Sequence, residues 1–371
     1  MTDNKERAFL LGVNLNDGEN FERSMQELKS LAEACQMEVT GQMTQNLAKP
    51  HNALYMGRGK IGELQDLLEQ EPADVLIFDR SLTPSQLRNL QNILDLPILD
   101  RTTLILEIFS RRAQTREARL QVESARLQYI LPRLTGMHKA LSRQGGGSGL
   151  ANRGAGEKKL ELDRRRIEKR MAELRRELDK ISTERETQRR KRGQSGIPRV
   201  ALVGYTNAGK STLMNRMLET YMRNDAGKVL EKDMLFATLD TTVRRIQAGP
   251  ERVFLLSDTV GFIHQLPAGL VKAFRSTLDE AREADLLLLV LDDSDEDHIR
   301  QKQVTEETLK ELGAGDIPVI YVYNKADLRL GEEELPRVRG DRIYMSARSG
   351  AGIPELTDMM FARLKKTGGA G

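Results

Sequence analysis

Apolar residues along the chain fall into short continuous runs that alternate with stretches of helical spacing. In the first hundred residues, the runs predict strands over 8–15, 37–43, 54–56 and 75–78, and the spacing predicts helices over 20–35 and from residue 61 onward. Thr83, Pro84 and Gln86 form a helix-start pattern with a capping hydroxyl and a first-turn proline. Strands that alternate with helices form mainly parallel sheets, so we expect a small α/β domain over residues 1–110.

A different pattern, of helices without strands, extends over residues 111–195. Apolar positions at helical spacing continue from Thr102, and six more recur beyond residue 156 at intervals of seven, four and three residues. These are Leu160, Ile167, Met171, Leu174, Leu178 and Ile181. The glycine-rich segment 144–156 lies between them and predicts a mobile loop, because glycine disfavours helix and strand. We expect an antiparallel α-helical hairpin with this loop at its tip.

Residues 196–371 return to alternating strands and helices. Strands are predicted over 199–203, 253–257, 286–291, 319–323 and 342–344. The continuous apolar run at 286–291 is typical of a strand that is buried on both faces. The predicted fold class is therefore α/β, with a mostly parallel, doubly wound sheet in this last domain.

Composition narrows the class of protein. The chain has 371 residues, of which 39% are hydrophobic, which is enough for two or three domains with buried cores. No apolar run approaches the ~20 residues that span a bilayer, and the polar amino terminus lacks a secretory signal pattern. The single cysteine, Cys35, lies on the apolar face of a predicted helix and is expected to be a core thiol. We expect a cytoplasmic protein without a membrane span.

The net charge of +3 conceals an uneven distribution. Residues 110–192 carry 24 Lys and Arg against 11 Asp and Glu, so this segment has an excess of 13 positive charges and the remainder a net charge of −10. Such a segment is typical of a surface that binds a polyanion, although a pair of charged helices that is merely exposed to solvent has the same composition. Arginine favours phosphate groups, and Tyr129 is the only aromatic residue of the hairpin, so the sequence favours folded RNA over a stacked single strand.

Residues 204–211 have the pattern Gly-x-x-x-x-Gly-Lys-Ser between a predicted strand and a predicted helix. The glycines let successive N–H groups, together with the start of the helix, cradle phosphate oxygens. Lys210 adds a charge that reaches the outer phosphates, and Ser211 offers a hydroxyl to Mg²⁺. The predicted phosphate-binding residues are Gly204, Tyr205, Thr206, Asn207, Ala208, Gly209, Lys210, Ser211 and Thr212.

Three further motifs follow in the order that a GTPase requires. They are Asp258-Thr259-Val260-Gly261, Asn324-Lys325-Ala326-Asp327 and Ser346-Ala347-Arg348. Asp258 is expected to hold Mg²⁺ through water, and the Gly261 N–H is expected to meet the terminal phosphate. Asp327 can accept two hydrogen bonds from guanine that adenine does not offer, and the last motif supports the base. The sequence thus predicts GTP or GDP binding and Mg²⁺-dependent GTP hydrolysis.

A mobile loop between these motifs must bring a threonine to the metal ion and the terminal phosphate. We expect Thr238 in this role, with Thr241 and Thr242 as competitors. The segment assigned to the nucleotide site is Phe236-Ala237-Thr238-Leu239-Asp240. Catalysis is assigned to Lys210, Thr238 and Gly261.

The residue after Gly261 is Phe262, where many signalling GTPases have a glutamine that orients the attacking water. A phenylalanine cannot perform this step, and Gln265 is too far along the chain to be a favoured substitute. We expect slow intrinsic hydrolysis that another group of the chain or a docked partner accelerates.

The N-terminal segment Gly57-Arg58-Gly59-Lys60 matches a phosphate loop only faintly, because the full spacing is missing. A glycine turn after the strand at 54–56 is favoured there, and ATP binding by the N-terminal domain stays open as an alternative. A second alternative for the whole chain is an RNA-binding assembly module in which the nucleotide is structural.

Specific stretches in all three expected domains carry a family resemblance. They are Arg58-Gly59-Lys60, Asp100-Arg101-Thr102, Arg153-Gly154-x-Gly156-Glu157, Phe236-Ala237-Thr238-Leu239-Asp240, Asp258-Thr259-Val260-Gly261-Phe262-Ile263, Leu266-Pro267 and Ser276-Thr277-Leu278. Through these stretches the chain resembles the HflX family of translational GTPases over nearly its whole length.

The resemblance implies a GTPase that binds the large ribosomal subunit and splits or rescues stalled or idle ribosomes under stress. The hairpin would then reach ribosomal RNA near the peptidyl transferase centre, and Asn207 would be a candidate ligand for a potassium ion beside Mg²⁺. We expect a monomer. The loop at 145–152 and the pair Lys158-Lys159 depart from the family pattern, and the carboxy-terminal domain of some relatives is expected to be missing or vestigial.

Overall fold

The computed structural model describes residues 5–16, 20–143, 150–193, 196–222, 242–263 and 280–368. The chain divides into two compact units, one of residues 1–111 and 119–179 and the other of residues 112–118 and 180–371. The three domains predicted from the sequence have different boundaries from these units, and they stay a prediction. Within the described ranges, no helix has both the length and the apolar character needed to cross a membrane.

The first unit contains a four-stranded, wholly parallel sheet in the order β2-β1-β3-β4. Its strands are β1 (Arg7–Asn14), β2 (Glu38–Asn46), β3 (Val75–Phe78) and β4 (Ile98–Asp100). Its helices are α1 (Phe21–Ala34), α2 (Arg58–Gln70), α3 (Pro84–Leu94) and α4 (Arg101–Arg112). The predicted start of α3 is confirmed, because Thr83 and Gln86 form a reciprocal capping box.

Two local predictions in this unit are wrong. The apolar segment 54–56 is part of a tight turn, closed by hydrogen bonds of 2.9 and 2.8 Å between the main chains of His51 and Tyr55. Tyr55 has a left-handed backbone at φ +66°, and its ring is buried against Phe78. The apolar pattern therefore reflects the burial of these side chains, although their backbone does not form an extended strand. The predicted glycine turn is also absent, since α2 begins at Arg58 and includes Gly59.

Two long helices follow, α5 (Arg116–Arg143) and α6 (Leu150–Gly193). Glu123 of α5 and Arg170 of α6 form two hydrogen bonds of 2.7 and 2.8 Å. Both residues lie 20 positions from the segment that joins the helices, as an antiparallel hairpin requires. On α6, Leu174 is fully buried, and Ile167, Met171 and Leu178 are half-buried.

The predicted mobile loop at 144–156 is too long at its carboxyl end. Residues 150–156 belong to α6, whereas 144–149 lie outside the described residues. Gly154 and Gly156 each cost a helix about 1 kcal/mol relative to alanine. Their neighbours are mostly good helix formers, so a helix of 44 residues tolerates both glycines.

The second unit contains a seven-stranded sheet in the order β10-β11-β9-β8-β5-β7-β6. Its strands are β5 (Arg199–Gly204), β6 (Thr242–Gln247), β7 (Val253–Asp258), β8 (Leu286–Asp292), β9 (Val319–Asn324), β10 (Arg337–Arg339) and β11 (Arg342–Tyr344). Its helices are α7 (Lys210–Tyr221), α8 (His298–Glu311), α9 (Asp327–Leu330) and α10 (Ile353–Gly368), with a 3-10 turn at Glu332–Glu334. Five strands are parallel, and β6 and β10 are antiparallel edges.

This sheet confirms the predicted fold class. The five parallel strands are those predicted from apolar runs, and apolar cores cover both faces of the sheet. One core includes Leu202, Leu213 and Phe254, and the other includes Val203 and Leu289. Because the carboxyl ends of parallel strands meet at one edge, the predicted motifs after β5, β7, β9 and β11 all come to that edge.

Candidate functional site

The phosphate-binding pattern forms the loop between β5 and α7, and its two glycines cannot be replaced by larger residues. Gly204 has φ +143°, and a Cβ there would lie 2.2 Å from the main-chain oxygen of Val290. Gly209 has φ +91°, and a Cβ there would lie 2.2 Å from Nδ2 of Asn324. The loop therefore passes close to β8 and β9, and only glycine fits.

Between the glycines, the loop presents one exposed and one buried polar side chain. Asn207 is exposed and has a left-handed backbone at φ +61°. Thr206 is buried, and its Oγ1 has no hydrogen-bond partner among the residues that the structure describes. The Thr206 N–H donates to the carbonyl of Phe262 over 2.7 Å. Ala208 is also buried, and Tyr205 is half-buried.

Lys210, the first residue of α7, is buried inside the loop. Its Nζ donates to the carbonyls of Gly204 over 3.1 Å and of Tyr205 over 2.7 Å. Burial lowers the pKa of Lys210 to about 8, and the Asp258 carboxylate opposes this shift. Phosphate oxygens would offer the ammonium group a charged acceptor in place of these carbonyls, so the site favours an anion.

Ser211 and Asp258 are the residues expected to bind the metal ion, and the structure brings them together. The Ser211 Oγ donates to Oδ2 of the fully buried Asp258 over 2.6 Å. A hydroxyl beside a carboxylate is a hard-oxygen donor set, which fits Mg²⁺. P-loop GTPases generally use this ion, so the residues present agree with the predicted cofactor. Thr212 follows in α7 and is half-buried.

The segment after β7 is anchored beside the phosphate-binding loop. The Thr259 Oγ1 donates to the carbonyl of Leu202 over 2.7 Å, and Val260 is buried. A Cβ on Gly261 would lie 2.8 Å from both Lys210 Nζ and Thr206 Cα. Gly261 therefore lies beside Lys210 and Thr206 of the loop, and the predicted contact of its N–H with the terminal phosphate stays a prediction.

Phe262 has a structural role that the sequence did not reveal. Its ring is buried in the core with residues such as Val203 and Leu289. Its N–H donates to the carbonyl of Gly204 over 3.1 Å, and its carbonyl accepts from Thr206. The residue holds the Gly261 segment against the phosphate loop, and its side chain offers no group to an attacking water.

Asn324 ties two parts of the site together. Its Nδ2 donates to the carbonyl of Ala208 over 2.9 Å, and its Oδ1 accepts from the N–H of Ala347 over 2.8 Å. The side chain is buried, so this bridge is shielded from water. Asn324 thus fixes the phosphate loop relative to the third motif, in addition to its predicted role in nucleotide binding.

The rest of the Asn324 motif is held by ion pairs with the segment after β8. Lys325, at φ +57°, places its Nζ 2.8 Å from Oδ2 of Asp292. Arg329 forms hydrogen bonds of 2.8 and 3.1 Å with the buried Asp293. Ala326 is buried, and its N–H donates to Met345. The half-buried Asp327 begins α9 between these two anchors.

The motif Ser346-Ala347-Arg348 forms the turn after β11. Ser346 and Ala347 are buried, and Arg348 is exposed. The Gly350 N–H donates to the Ser346 carbonyl over 2.9 Å, which closes the turn. Arg216 of α7 donates from Nε to the Ala347 carbonyl over 3.2 Å and from Nη2 to the Arg348 carbonyl. No sequence signal identified Arg216, because the contact depends on how α7 packs in the fold.

Some predicted residues lie outside the described ranges. These are Phe236, Ala237, Thr238, Leu239 and Asp240, together with Thr241 and Gln265. Thr242 begins β6 and lies opposite Asp258 in the antiparallel edge pair. The role of Thr238 in metal binding and catalysis therefore stays a prediction.

The second, faint phosphate pattern has a different local structure. Arg58, Gly59 and Lys60 form the first turn of α2, with Gly57 as the N-cap residue, and the Lys60 Nζ lies 2.6 Å from Oε2 of Glu63. This segment lacks the left-handed residues Asn207 and Gly209 that shape the loop of the second unit. ATP binding by the first unit stays a prediction.

Comparison with known families covers most of the chain. Residues 22–110 match the model of the GTP-binding GTPase N-terminal region, and residues 112–192 match that of the GTP-binding GTPase middle region. Residues 199–325 match the model of the 50S ribosome-binding GTPase. The third match covers the phosphate loop and the strand that leads to Asn324 and Lys325.

Full-length relatives agree with these matches. GTPase HflX of Alkalihalophilus pseudofirmus is 46% identical over 343 residues, which cover 92% of this chain and 79% of that protein. GTPase HflX of Escherichia coli is 40% identical over 368 residues, which cover 98% of this chain and 84% of that protein. The crystal structure of SsGBP with GDP is 25% identical, with a TM-score of 0.52 over 97% of this chain and 99% of that chain. The chain belongs to the HflX family and is a GTPase.

Proposed function

We propose that this GTPase binds the large ribosomal subunit and splits or rescues stalled or idle ribosomes under stress. The observation that carries the proposal is the row of exposed arginines on α6. Arg164, Arg165 and Arg166 are exposed, and their ion pairs with Glu161, Asp163 and Glu168 lie within the same helix. Such pairs contribute little in water, so phosphate groups of RNA can replace them at low cost. The match to a 50S ribosome-binding GTPase model supports the same partner.

The chemistry of the site supports the proposal that a partner accelerates hydrolysis. Lys210 and the Gly261 main chain face the phosphates, Ser211 and Asp258 supply oxygen ligands, and Asp327 selects guanine. Mg²⁺, when bound there, neutralises phosphate charge that develops during hydrolysis. The ring of Phe262 is in the core, so the position that orients water in many GTPases contributes no polar group. We therefore expect the ribosome to stabilise a hydrolysis-competent arrangement.

Binding is tested by sedimenting the full chain with purified large subunits and a non-hydrolysable GTP analogue. Arg165→Glu with Arg166→Glu should weaken binding at least tenfold, because two phosphate contacts become repulsions. The matched control is Arg339→Glu with Arg342→Glu, which has the same charge change at exposed positions of the second unit. Equal binding by the α6 variant and the parent would contradict the proposal.

The alternative of an assembly module with a structural nucleotide is tested by ribosome splitting. We expect Lys210→Ala to lose GTP-dependent splitting, because the lysine lies in the phosphate loop. A folded Lys210→Ala variant that splits ribosomes and releases RNA like the parent would favour the assembly module. Cytoplasmic location and a monomeric state also stay predictions.

The proposal extends to a potassium ion at Asn207. This side chain is exposed on the phosphate loop and carries an amide oxygen suited to such an ion. Asn207→Gly removes the amide and preserves the left-handed backbone at φ +61°, which glycine adopts readily. GTP turnover should be faster in potassium than in sodium for the parent and equal in both salts for the variant. A variant that keeps the potassium effect would assign the ion to another site.

A further inference from the structure

The turn Ser346-Ala347-Arg348, which is expected to support the guanine base, accepts hydrogen bonds from a side chain of α7. Arg216 Nε donates to the Ala347 carbonyl over 3.2 Å, and Nη2 donates to the Arg348 carbonyl. Nη1 forms a 3.1 Å hydrogen bond with Glu219, one turn further along α7. The planar guanidinium therefore bridges two successive carbonyls while its remaining end is fixed to its own helix.

Packing restricts the same turn. Gly350 has φ +90°, and a Cβ there would lie 3.3 Å from Cδ of Arg216, so the turn closes directly onto the arginine stem. Both peptide groups of Ala347 are held, since its N–H donates to Asn324 and its carbonyl accepts from Arg216. Among the described residues, Arg216 thus supplies two of the three hydrogen bonds to the main chain of residues 347–348.

The held main chain has a donor to offer. Among the described residues, none accepts a hydrogen bond from the Arg348 N–H, and Arg348 is exposed. Guanine presents an acceptor oxygen at C6, whereas adenine presents an amino donor at the same position. A fixed main-chain N–H in this turn favours guanine and repels adenine, provided that the turn keeps its place.

We propose that Arg216 is a positioning residue for base specificity, which acts by holding the Ala347–Arg348 main chain against the C6 oxygen of guanine. This inference rests on GTP binding alone and is independent of any ribosomal role. It predicts a selective effect: loss of Arg216 should weaken recognition of the C6 oxygen and leave the phosphate and 2-amino contacts intact.

The test compares two nucleotides by calorimetry on the full chain. GDP has the C6 oxygen. The diphosphate of 2-aminopurine riboside lacks this oxygen and the N1–H but retains the 2-amino group and both phosphates, so its affinity is compared only between the parent and the variant. Arg216→Ala should weaken GDP binding about tenfold, the value of roughly one hydrogen bond, and leave binding of the analogue unchanged. Unchanged analogue binding also shows that the variant is folded.

Two further variants complete the test. Arg216→Lys retains the charge but cannot bridge two carbonyls, so it should resemble Arg216→Ala. It also replaces the alanine variant if that variant fails to fold. The matched control is Arg252→Ala, at an exposed ion pair with Asp358 of the same unit, which should bind both nucleotides like the parent. Equal weakening of both nucleotides, or parental GDP binding in Arg216→Lys, would overturn the proposal.

Discussion

The two sheets differ in what lies at the carboxyl ends of their parallel strands. In the second unit, the edge at these ends consists of glycine-containing turns whose main-chain carbonyls accept hydrogen bonds from the side chains of Lys210 and Asn324. In the first unit, ligands of open parallel sheets would bind at the equivalent edge, next to β1 and β3. Charged side chains fill that edge with partners from the same unit.

The centre of the filled edge is Arg101, which is 2% exposed. Its Nη1 lies 2.6 Å from Oδ1 of the buried Asp79, and its Nη2 pairs with Glu27. The Ser24 Oγ also donates to Asp79 over 2.8 Å. Each of these charges has an opposite charge beside it, so the cluster stabilises the native arrangement.

A second buried carboxylate connects the sheet to the hairpin. Asp100 accepts hydrogen bonds from the Leu82 N–H over 3.1 Å and from Arg133 of α5 over 2.9 Å. It also accepts from the Tyr129 hydroxyl. Burial raises the pKa of Tyr129 well above its usual value, and the Asp100 charge adds to this shift. These contacts fix α5 to the sheet of its own unit.

The comparison shows that sheet topology provides a possible site, whereas the local residues decide its use. Where ion pairs complete the edge, substitutions should affect stability. Where glycine-containing turns form the edge, substitution of a side chain that faces the nucleotide should affect nucleotide binding, and substitution of a close-packed glycine should also lower stability. The predictions below test this division.

The largest expected effect is on stability of the first unit. Arg101→Met should lower the free energy of unfolding by about 3–5 kcal/mol, because the buried Asp79 carboxylate loses the opposite charge that lies beside it. Urea unfolding followed by circular dichroism measures this loss, and GDP affinity should not change. Arg7→Met, at an exposed ion pair with Asp74, is the control and should cost less than about 1 kcal/mol. A small loss of unfolding free energy, or a change in GDP affinity, would contradict the view that this edge of the first unit serves stability alone.

Lys210→Ala should show the converse behaviour. The substitution removes the ammonium group from the phosphate loop, so the rate of GTP hydrolysis should fall roughly 100- to 1000-fold. Single-turnover hydrolysis measures the rate, and circular dichroism checks the fold. Hydrolysis at the parental rate would contradict the assignment of Lys210 to the phosphates.

Gly204→Ala should destabilise the second unit because the loop approaches β8 too closely for a side chain. A Cβ would lie 2.2 Å from the Val290 oxygen, which should cost about 3 kcal/mol in unfolding free energy. Gly313→Ala is the control, since Gly313 has φ +75° but no atom within 4 Å of a Cβ. The control should lose about 1 kcal/mol from backbone strain alone. If urea unfolding shows equal losses of free energy for the two variants, the close approach of the loop to Val290 contributes nothing to the cost.

The smallest effect concerns pH. The pKa of Lys210 is lowered to about 8 in the free protein from 10.5, so between these values the folded state binds fewer protons than the unfolded state, and this group favours folding as pH rises. Bound phosphates favour the charged lysine and raise its pKa. GDP binding at pH 8.5 should therefore take up a proton, measured by calorimetry in two buffers of different ionisation enthalpy. The Lys210→Arg variant should take up no proton when it binds GDP. If the parent also takes up no proton, the result contradicts a lowered pKa for Lys210 in the free protein.

The sequence predicted most of the second unit, because its signals are local. Apolar runs located the five parallel strands, and motif spacing located Lys210, Asp258 and Asp327. The antiparallel edges β6 and β10 were missed, since their polar residues, such as Arg244 and Arg337, lack an apolar run. An edge strand exposes more surface and needs fewer apolar residues.

Roles that depend on long-range packing could not be predicted. The sequence showed that Phe262 occupies the position where many GTPases have a glutamine. That its ring packs in the core could be seen only in the structure. Arg216 contacts Arg348 across 132 positions of the chain, and no spacing rule connects them. In the first unit, the turn at Tyr55 carried an apolar pattern without being a strand.

We propose that the nucleotide site of this chain needs the large ribosomal subunit to hydrolyse GTP efficiently. The most direct test is multiple-turnover GTP hydrolysis by the full chain alone, with purified small subunits and with purified large subunits. We predict slow turnover alone and with small subunits, and at least a tenfold increase with large subunits, because partner-supplied stabilisation of phosphate transfer commonly exceeds that factor. Turnover that is the same in all three mixtures would contradict the claim.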